Sequence, residues 1–393
     1  MQKKLIALAI AGLASAPVFA QTNVTVYGVV DATVESVKAD GGDAVEIERR
    51  TRVTSNGSLI GFRGTEDLGN GLKALFQVES GFAADGTGTS TLATRDTFVG
   101  LNGGFGTVQL GKLTTIMRAA GAKVDFNPAA TGIGFAGATY GTINGLKTPI
   151  DDRLNNTVMY TTPSFSGLTA QLAYTAGENR KAADANSGEG VNGQGYQLAA
   201  AYENGPVYVS AGYALHKDLQ NASMADMLNP AVVTTAAGVT TTAPFSDDLK
   251  TARIAAKYSF PSNTTVSALW DRTKYEMSAA ALGESNVKRN AWLVGVEQKF
   301  AGNQAAYLEY TRSRELKGDV CDVTDCNNTE FSQWTLGYTY SLSKRTMVKA
   351  YYTRLNNDSN SRSDFYLSSV SGGSQVANGQ DPQGFGVGLR HTF

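Results

Sequence analysis

The stretch Gly384-Phe-Gly-Val-Gly-Leu-Arg-His-Thr-Phe393 decides how this chain is read. Phe385, Val387, Leu389, His391 and Phe393 share one parity. Gly386, Gly388, Arg390 and Thr392 share the other. A repeat of two is a β-strand, here with one greasy or aromatic face and one small or polar face. Terminal residues usually fray, so a soluble protein rarely gives its last strand so regular a pattern and a bare aromatic at the end. A strand with lipid outside and water inside calls for this alternation.

The same period recurs along the chain. Val26, Gly28, Val30, Ala32 and Val34 alternate with Tyr27, Val29, Asp31 and Thr33. Leu168, Ala170, Leu172 and Tyr174 alternate with Thr169, Gln171 and Ala173. Val207, Val209, Ala211 and Tyr213 alternate with Tyr208, Ser210 and Gly212, and Trp334, Leu336, Tyr338 and Tyr340 with Thr335, Gly337 and Thr339. The apolar face often starts or stops at Tyr, Trp or Phe, which suits aromatic girdles at two membrane interfaces. Charges on the other face are hydrated if the interior is wide enough to hold water, as it is at about sixteen strands.

Connections alternate between short and long. The short ones are Arg63–Gly71, Asn102–Gly106, Pro163–Gly167, Asn204–Pro206, Pro261–Asn263, Ala301–Asn303 and Ser341–Lys344, which hold the Gly, Asn and Pro that tight turns need. The long ones fall near 36–48, 83–94, 113–152, 178–194, 217–247, 276–289, 317–328 and 357–383. This spacing predicts an all-β fold: a transmembrane antiparallel β-barrel of about sixteen strands with short periplasmic turns and long extracellular loops. Hydrocarbon offers backbone groups no partners, so only helices and closed barrels can cross it.

At the other end, Lys3 and Lys4 precede the apolar run Leu5–Ala14, and Val18-Phe-Ala20 offers small residues for cleavage. This reads as a signal peptide over 1–20, followed by one barrel domain over 21–393. An N-terminal membrane anchor is the alternative, but the run is shorter than the ~20 residues a spanning helix needs. With Lys3 and Lys4 removed, 32 basic residues remain against 35 acidic ones. That leaves no basic footprint for nucleic acid. Mean hydropathy is −0.20, compatible with a barrel because only alternate residues need be apolar.

The chain resembles the trimeric general porins of Gram-negative outer membranes, of the neisserial and β-proteobacterial type. The resemblance rests on Val24–Ala32, Ser55–Ala74, Phe76-Gln-Val-Glu79, Arg95-Asp-Thr-Phe-Val-Gly-Leu101, Arg153-Leu-Asn-Asn-Thr-Val-Met-Tyr160 and Gly388-Leu-Arg-His-Thr-Phe393. It implies sixteen strands, a homotrimer surrounded by outer-membrane lipid, and a third loop folded into the lumen. It implies a multi-pass protein of the cell outer membrane that passes small hydrophilic solutes and ions. It also implies that Phe393, with Leu389 and His391, forms the signal read by the outer-membrane assembly machinery.

The same resemblance implies basic wall residues at the pore constriction. Arg95 and Arg153 match two such positions, while Leu59 stands where a third arginine is expected. Lys73 adds positive charge to the wall; Arg49, Arg50 and Arg52 either do so or belong to the first loop. Asp125, the only acid in the middle of the third loop, is the expected counter-charge. From its residues alone this loop is either a surface loop or a functional one; the family reading folds it inward. Cys321 and Cys326 are expected to form a small disulfide in an oxidising compartment.

Chemistry beyond transport has little support. His216 and His391 have no nucleophile or carboxylate partner in sequence. Asp319, Asp322 and Asp325 lack the spacing and closing Glu of a Ca²⁺ loop, so neither metal nor cofactor is expected. An outer-membrane barrel enzyme would need an outward Ser–His arrangement or an acid pair. A substrate-specific channel would need an aromatic slide, for which the third loop offers only Phe126, Phe135 and Tyr140.

Overall fold

The computed structural model describes residues 23–87, 91–181, 191–219, 245–279, 283–322, 325–373 and 375–393. The leader expected over 1–20 lies outside them, as do stretches of most of the long loops. The strands are β1 (Asn23–Asp40), β2 (Ile47–Ser55), β3 (Leu59–Gly69), β4 (Leu72–Gly81), β5 (Thr97–Gly103), β6 (Gly106–Thr114), β7 (Thr142–Ile143), β8 (Leu146–Lys147), β9 (Arg153–Thr161) and β10 (Leu168–Lys181). They continue as β11 (Val191–Asn204), β12 (Val207–Lys217), β13 (Phe245–Ser259), β14 (Thr264–Ala279), β15 (Gly283–Phe300), β16 (Gln304–Ser313), β17 (Phe331–Ser341), β18 (Thr346–Asn357) and β19 (Asp381–Thr392).

All but β7 and β8 join one antiparallel sheet that closes on itself. β2 and β3 both pair with β1 and are two halves of one wall strand, so the wall has sixteen strands. Closure is made by β19 on β1, in register from Val29 opposite Thr392 to Asp40 opposite Asp381. Every internal strand therefore has two partners and no edge is left unpaired, the condition for crossing hydrocarbon.

The parity read from sequence holds in the wall. Val26, Val30, Val34, Leu172, Val209, Leu336, Phe385, Val387 and Leu389 are exposed on the outside. Asp31, Thr33, Glu35, Ser210 and Thr335 are buried on the inside. Some inward glycines lie beneath aromatic rings: a Cβ on Gly337 would meet the Tyr307 ring at 2.1 Å.

One expectation needs correction, and two segments gain detail. The turn read at Arg63–Gly71 is much shorter, because β3 keeps its ladder to Gly69, with Arg63 opposite both Thr25 and Gln77. Only Asn70 and Gly71 turn, both with positive φ. Arg49, Arg50 and Arg52 lie on β2 rather than in the first loop. The third long segment is not featureless: it holds helix α1 (Ile116–Val124), the short helix α2 (Gly137–Tyr140) and the β7–β8 hairpin.

That segment folds into the barrel. Val124, Ile133, Phe135 and Tyr140 pack with Tyr351, Leu355 and, from the last long loop, Phe365 and Tyr366. The interior is thus partly filled with protein. Arg253, Arg289 and Lys349, expected to be hydrated, are buried and paired instead.

Candidate functional site

The inner loop leaves the wall after β6 and crosses the lumen. Thr115 caps α1, its hydroxyl accepting from the Arg118 N–H at 3.3 Å. Gln197 on β11 accepts from the Ile116 N–H at 2.9 Å. Two of the free N–H groups at the helix start are satisfied in this way. α1 then lies along β12 to β14, which sets the path of the rest of the loop.

Two arginines of the far wall hold the loop. Arg253 on β13 donates to both oxygens of Asp151, at 2.6 and 3.1 Å, and to the Met117 and Tyr140 carbonyls at 2.7 and 3.1 Å. Its Nε reaches Asp271 on β14 at 2.8 Å. Arg289 on β15 donates to the Thr139 and Tyr140 carbonyls, each at 3.0 Å. These charges are almost fully buried. Removing one partner from such a group leaves an uncompensated buried charge, a loss of about 3–5 kcal/mol.

Asp125 belongs to this far side. Its carboxylate accepts from the Asn127 N–H at 2.8 Å and the Ala136 N–H at 3.1 Å. Glu309 on β16 accepts from the neighbouring Phe126 N–H at 2.8 Å. Asp125 is therefore a buried brace between the loop and the β16 side, and does not stand across open water from the basic wall. The reason is topological: the loop has crossed to the wall opposite its own attachment.

A second group of charges lies on the side of the barrel formed by β3, β4, β5 and β9. Arg95 pairs with Glu79, whose other oxygen accepts from the Tyr27 hydroxyl at 3.1 Å. Arg153 pairs with Asp96 at 2.8 Å. Asp96 is fixed in turn by the Thr114 N–H at 2.6 Å and hydroxyl at 2.8 Å. Arg95 and Arg118 lie close enough to Arg153 for their charges to act on it. Arg118 reaches in from α1, its guanidinium 5.3 Å from the Phe135 ring centre and bonded to the Asp151 carbonyl at 2.7 Å. Arg63 lies over the Tyr27 ring at 4.9 Å, and Lys147 over the Tyr366 ring at 4.8 Å. Burial lowers the Lys147 ammonium below its ordinary pKa.

Arg95 and Arg153 thus come together on one wall, each with an acidic partner. Among the described residues Arg63, Arg118 and Lys147 have no ion pair; Asp152 stands beside Arg153 and acts on Lys147, and these five cations still outnumber Glu79, Asp96 and Asp152. Leu59 is buried between Val29 and Gly81 in the ladder, with Arg95 packed beside Gly81. Lys73 stands apart, beside the Asn70–Gly71 turn and six residues down β4 from Glu79. Arg63 was hidden by the turn reading; continuing the alternation Leu59, Gly61, Arg63 would have put it inside. Glu79 and Asp96 lie within the quoted motifs, but their pairing is a cross-strand fact. The Arg253–Asp151 contact joins residues 102 apart and has no local signal.

Elsewhere, Cys321 and Cys326 are bonded to each other. Phe393 is half-exposed on the outer face, its N–H donating to the Gly28 carbonyl at 3.0 Å. His391 is exposed, with its Nδ1 2.9 Å from the Thr346 hydroxyl.

The family described as Gram-negative porin matches residues 7–360. A major outer membrane protein P.IB of Neisseria meningitidis serogroup B is 30% identical over 399 residues, covering 100% of both chains. Outer membrane porin protein 32 of Delftia acidovorans is 30% identical over 402 residues, again covering 100% of both. The solved anion-selective porin from Comamonas acidovorans has a TM-score of 0.70 and 27% identity, covering 95% of this chain and 100% of its own. OmpT of Vibrio cholerae shares the fold at a TM-score of 0.65 and 16% identity.

Proposed function

The chain belongs to the Gram-negative porin family, and from that premise we infer that its channel favours small anions at a constriction set by Arg95, Arg153 and Arg118. The protein is an outer-membrane β-barrel with a water-filled channel for passive diffusion of small hydrophilic solutes. Size sorts solutes first, because the inner loop narrows the lumen. Charge sorts them second. The observation that carries this reading is the convergence of three guanidiniums with only two carboxylates paired among them. Fixed charge in a narrow, low-dielectric passage acts more strongly than in bulk water. The Comamonas relative is itself named as anion-selective.

The outer wall supports a homotrimer in the same reading. β1 to β6 present Val24, Val26, Val30, Val53, Ile60, Val99, Leu101 and Leu110 outward, mostly aliphatic. Tyr and Trp concentrate on β10 to β18, at Tyr174, Tyr196, Tyr213, Trp270, Trp334 and Tyr352. Aromatic residues anchor a wall at the lipid–water boundary, so the aliphatic arc suits contact with other copies. Phe393, Leu389 and His391 remain the proposed assembly signal, displayed on the closing strand.

Reversal potentials in a salt gradient test the constriction. The wild type is expected to favour anions. Arg118→Ala shifts the potential toward cations, more at low salt than at high salt because of screening. Leu59→Arg shifts it toward anions. A cation-selective wild type, or no shift in either variant, overturns the assignment.

A further inference from the structure

Helix α1 of the inner loop is held at its two ends by charges of opposite accessibility. Arg253 donates to the Met117 carbonyl near the start of α1 at 2.7 Å. Lys257, four residues further along β13, donates to the Lys123 carbonyl near its end at 2.9 Å. The helix therefore runs down β13 toward the short-turn end of the barrel. There Lys123, in the last turn of the helix, pairs with both oxygens of Glu203, at 2.8 and 3.1 Å. Glu203 stands beside the short turn after Asn204, opposite Tyr208, whose ring centre lies 5.5 Å from the Lys123 ammonium. Glu297 and Lys299 on β15 are the next charges along this rim; they pair with each other at 3.6 Å and act on Lys257.

The arginine end is dry: the side chains of Arg253, Asp151 and Asp271 are 1%, 0% and 0% exposed. The lysine end is wet, with the side chains of Lys123 and Glu203 48% and 59% exposed. Exposed ion pairs are weak and yield to salt, whereas buried pairs are screened much less. The two ammonium groups at the helix end also meet the partial negative charge of its last carbonyls, and salt screens that attraction as well. Added salt thus loosens one end of α1 and leaves the other in place. Short turns lie on the periplasmic side of such a barrel, so the loosened end faces the periplasm.

We propose that Lys123, Glu203 and Lys257 form a salt-sensitive latch, by which the ionic strength at the periplasmic mouth sets how firmly the inner loop is seated. At low salt the helix end is held against β11 and β13, and the passage is steady. At high salt the end is released about the buried Arg253 anchor, and the passage fluctuates. This regulation acts on the loop's seating and is separate from the charge selection by the wall arginines.

A nitroxide label on α1 provides the probe. Ala119 is exposed on the helix, one turn before Lys123. The two native cysteines are bonded to each other, so in the intact Ala119→Cys protein the label goes to the introduced thiol. In lipid vesicles, raising KCl from ~0.05 M to ~1 M is expected to increase the mobile fraction of the label roughly twofold. With Glu203→Gln added, the mobile fraction is high at both salt levels and changes little between them. With Lys299→Gln added instead, which removes a neighbouring charge outside the latch, the salt response stays. In planar bilayers the open-channel current noise, divided by the mean current, rises with salt in the wild type and stays level in Glu203→Gln. A label whose mobility ignores salt, or a Glu203→Gln protein that keeps the full response, overturns the latch. Equal loss of the response in Lys299→Gln overturns it in favour of general surface charge. A label that loosens with no rise in relative current noise overturns its control of the channel.

Discussion

Gly28 has no room for a side chain. A Cβ there would lie 2.3 Å from Cζ of Phe393 and 2.8 Å from the Leu59 carbonyl oxygen. The terminal ring thus rests on a bare stretch of β1, and the backbones of Gly28 and Phe393 exchange hydrogen bonds at 3.0 and 3.1 Å. Gly28→Val is expected to displace the ring and weaken the seam by about 1–3 kcal/mol, the usual range for overpacking. The check is the fraction of heat-modifiable, folded barrel after refolding into lipid; an undiminished fraction would show that the ring contact is dispensable. The glycine was visible in the outward parity of β1, but the ring above it was not. Residues 28 and 393 meet only when the sheet closes.

The inner loop is the element whose behaviour depends most on burial. Desolvation raises the Asp125 carboxyl from its ordinary 3.8 to about 6, with Glu309 close by on the wall. A raised acid contributes stability while it is protonated. That contribution is complete below the ordinary pKa and is lost as pH rises through about 6. The loop should therefore be seated more firmly at pH 5 than at pH 8. Burial raises the Glu309 carboxyl as well, so open-channel current noise should grow across that interval in the wild type and change little in Asp125→Asn/Glu309→Gln. A wild-type noise level independent of pH would remove this role. The loop's length and lack of charge were legible in the sequence; its helices and its anchor residues were not. Asp125 looked like a pore charge because it was the only mid-loop acid. Its seat depends on how far the loop travels before meeting the wall, and no local pattern encodes that distance.

The whole barrel tests the lipid and water faces against each other. Val209 is 42% exposed on the outside, while Ser210 is 5% exposed on the inside. Val209→Lys should cost ~2–4 kcal/mol if it lies near the bilayer midplane, because its charge meets hydrocarbon, and the uncharged Val209→Thr of similar shape should cost much less. Folding yields into lipid vesicles across a urea series measure the difference. Equal midpoints for the two variants would contradict the assigned faces. The same outside surface divides into an aliphatic arc over β1 to β6 and an aromatic arc over β10 to β18. That division becomes visible only once sixteen strands are set in a ring, although each residue in it was readable beforehand.

Alternation by two, the rhythm of turns and loops, and the aromatic end residues determined the fold class, the strand number and the side of each strand that meets lipid. These are local properties, because a strand shows its two faces to any environment through residues i and i+2. The arginines at Arg95 and Arg153 were reached through resemblance, not through composition or spacing. Only the tertiary structure decided that each has an acidic partner, that Arg118 joins them from the inner loop, and that Asp125 is a brace on the far side. It alone also showed that α1 is anchored by buried charges at one end and by exposed ones at the other. Those outcomes depend on contacts between residues tens to hundreds of positions apart. Closure of the sheet and the crossing of the inner loop set such distances, and the pattern of any single strand carries no record of them.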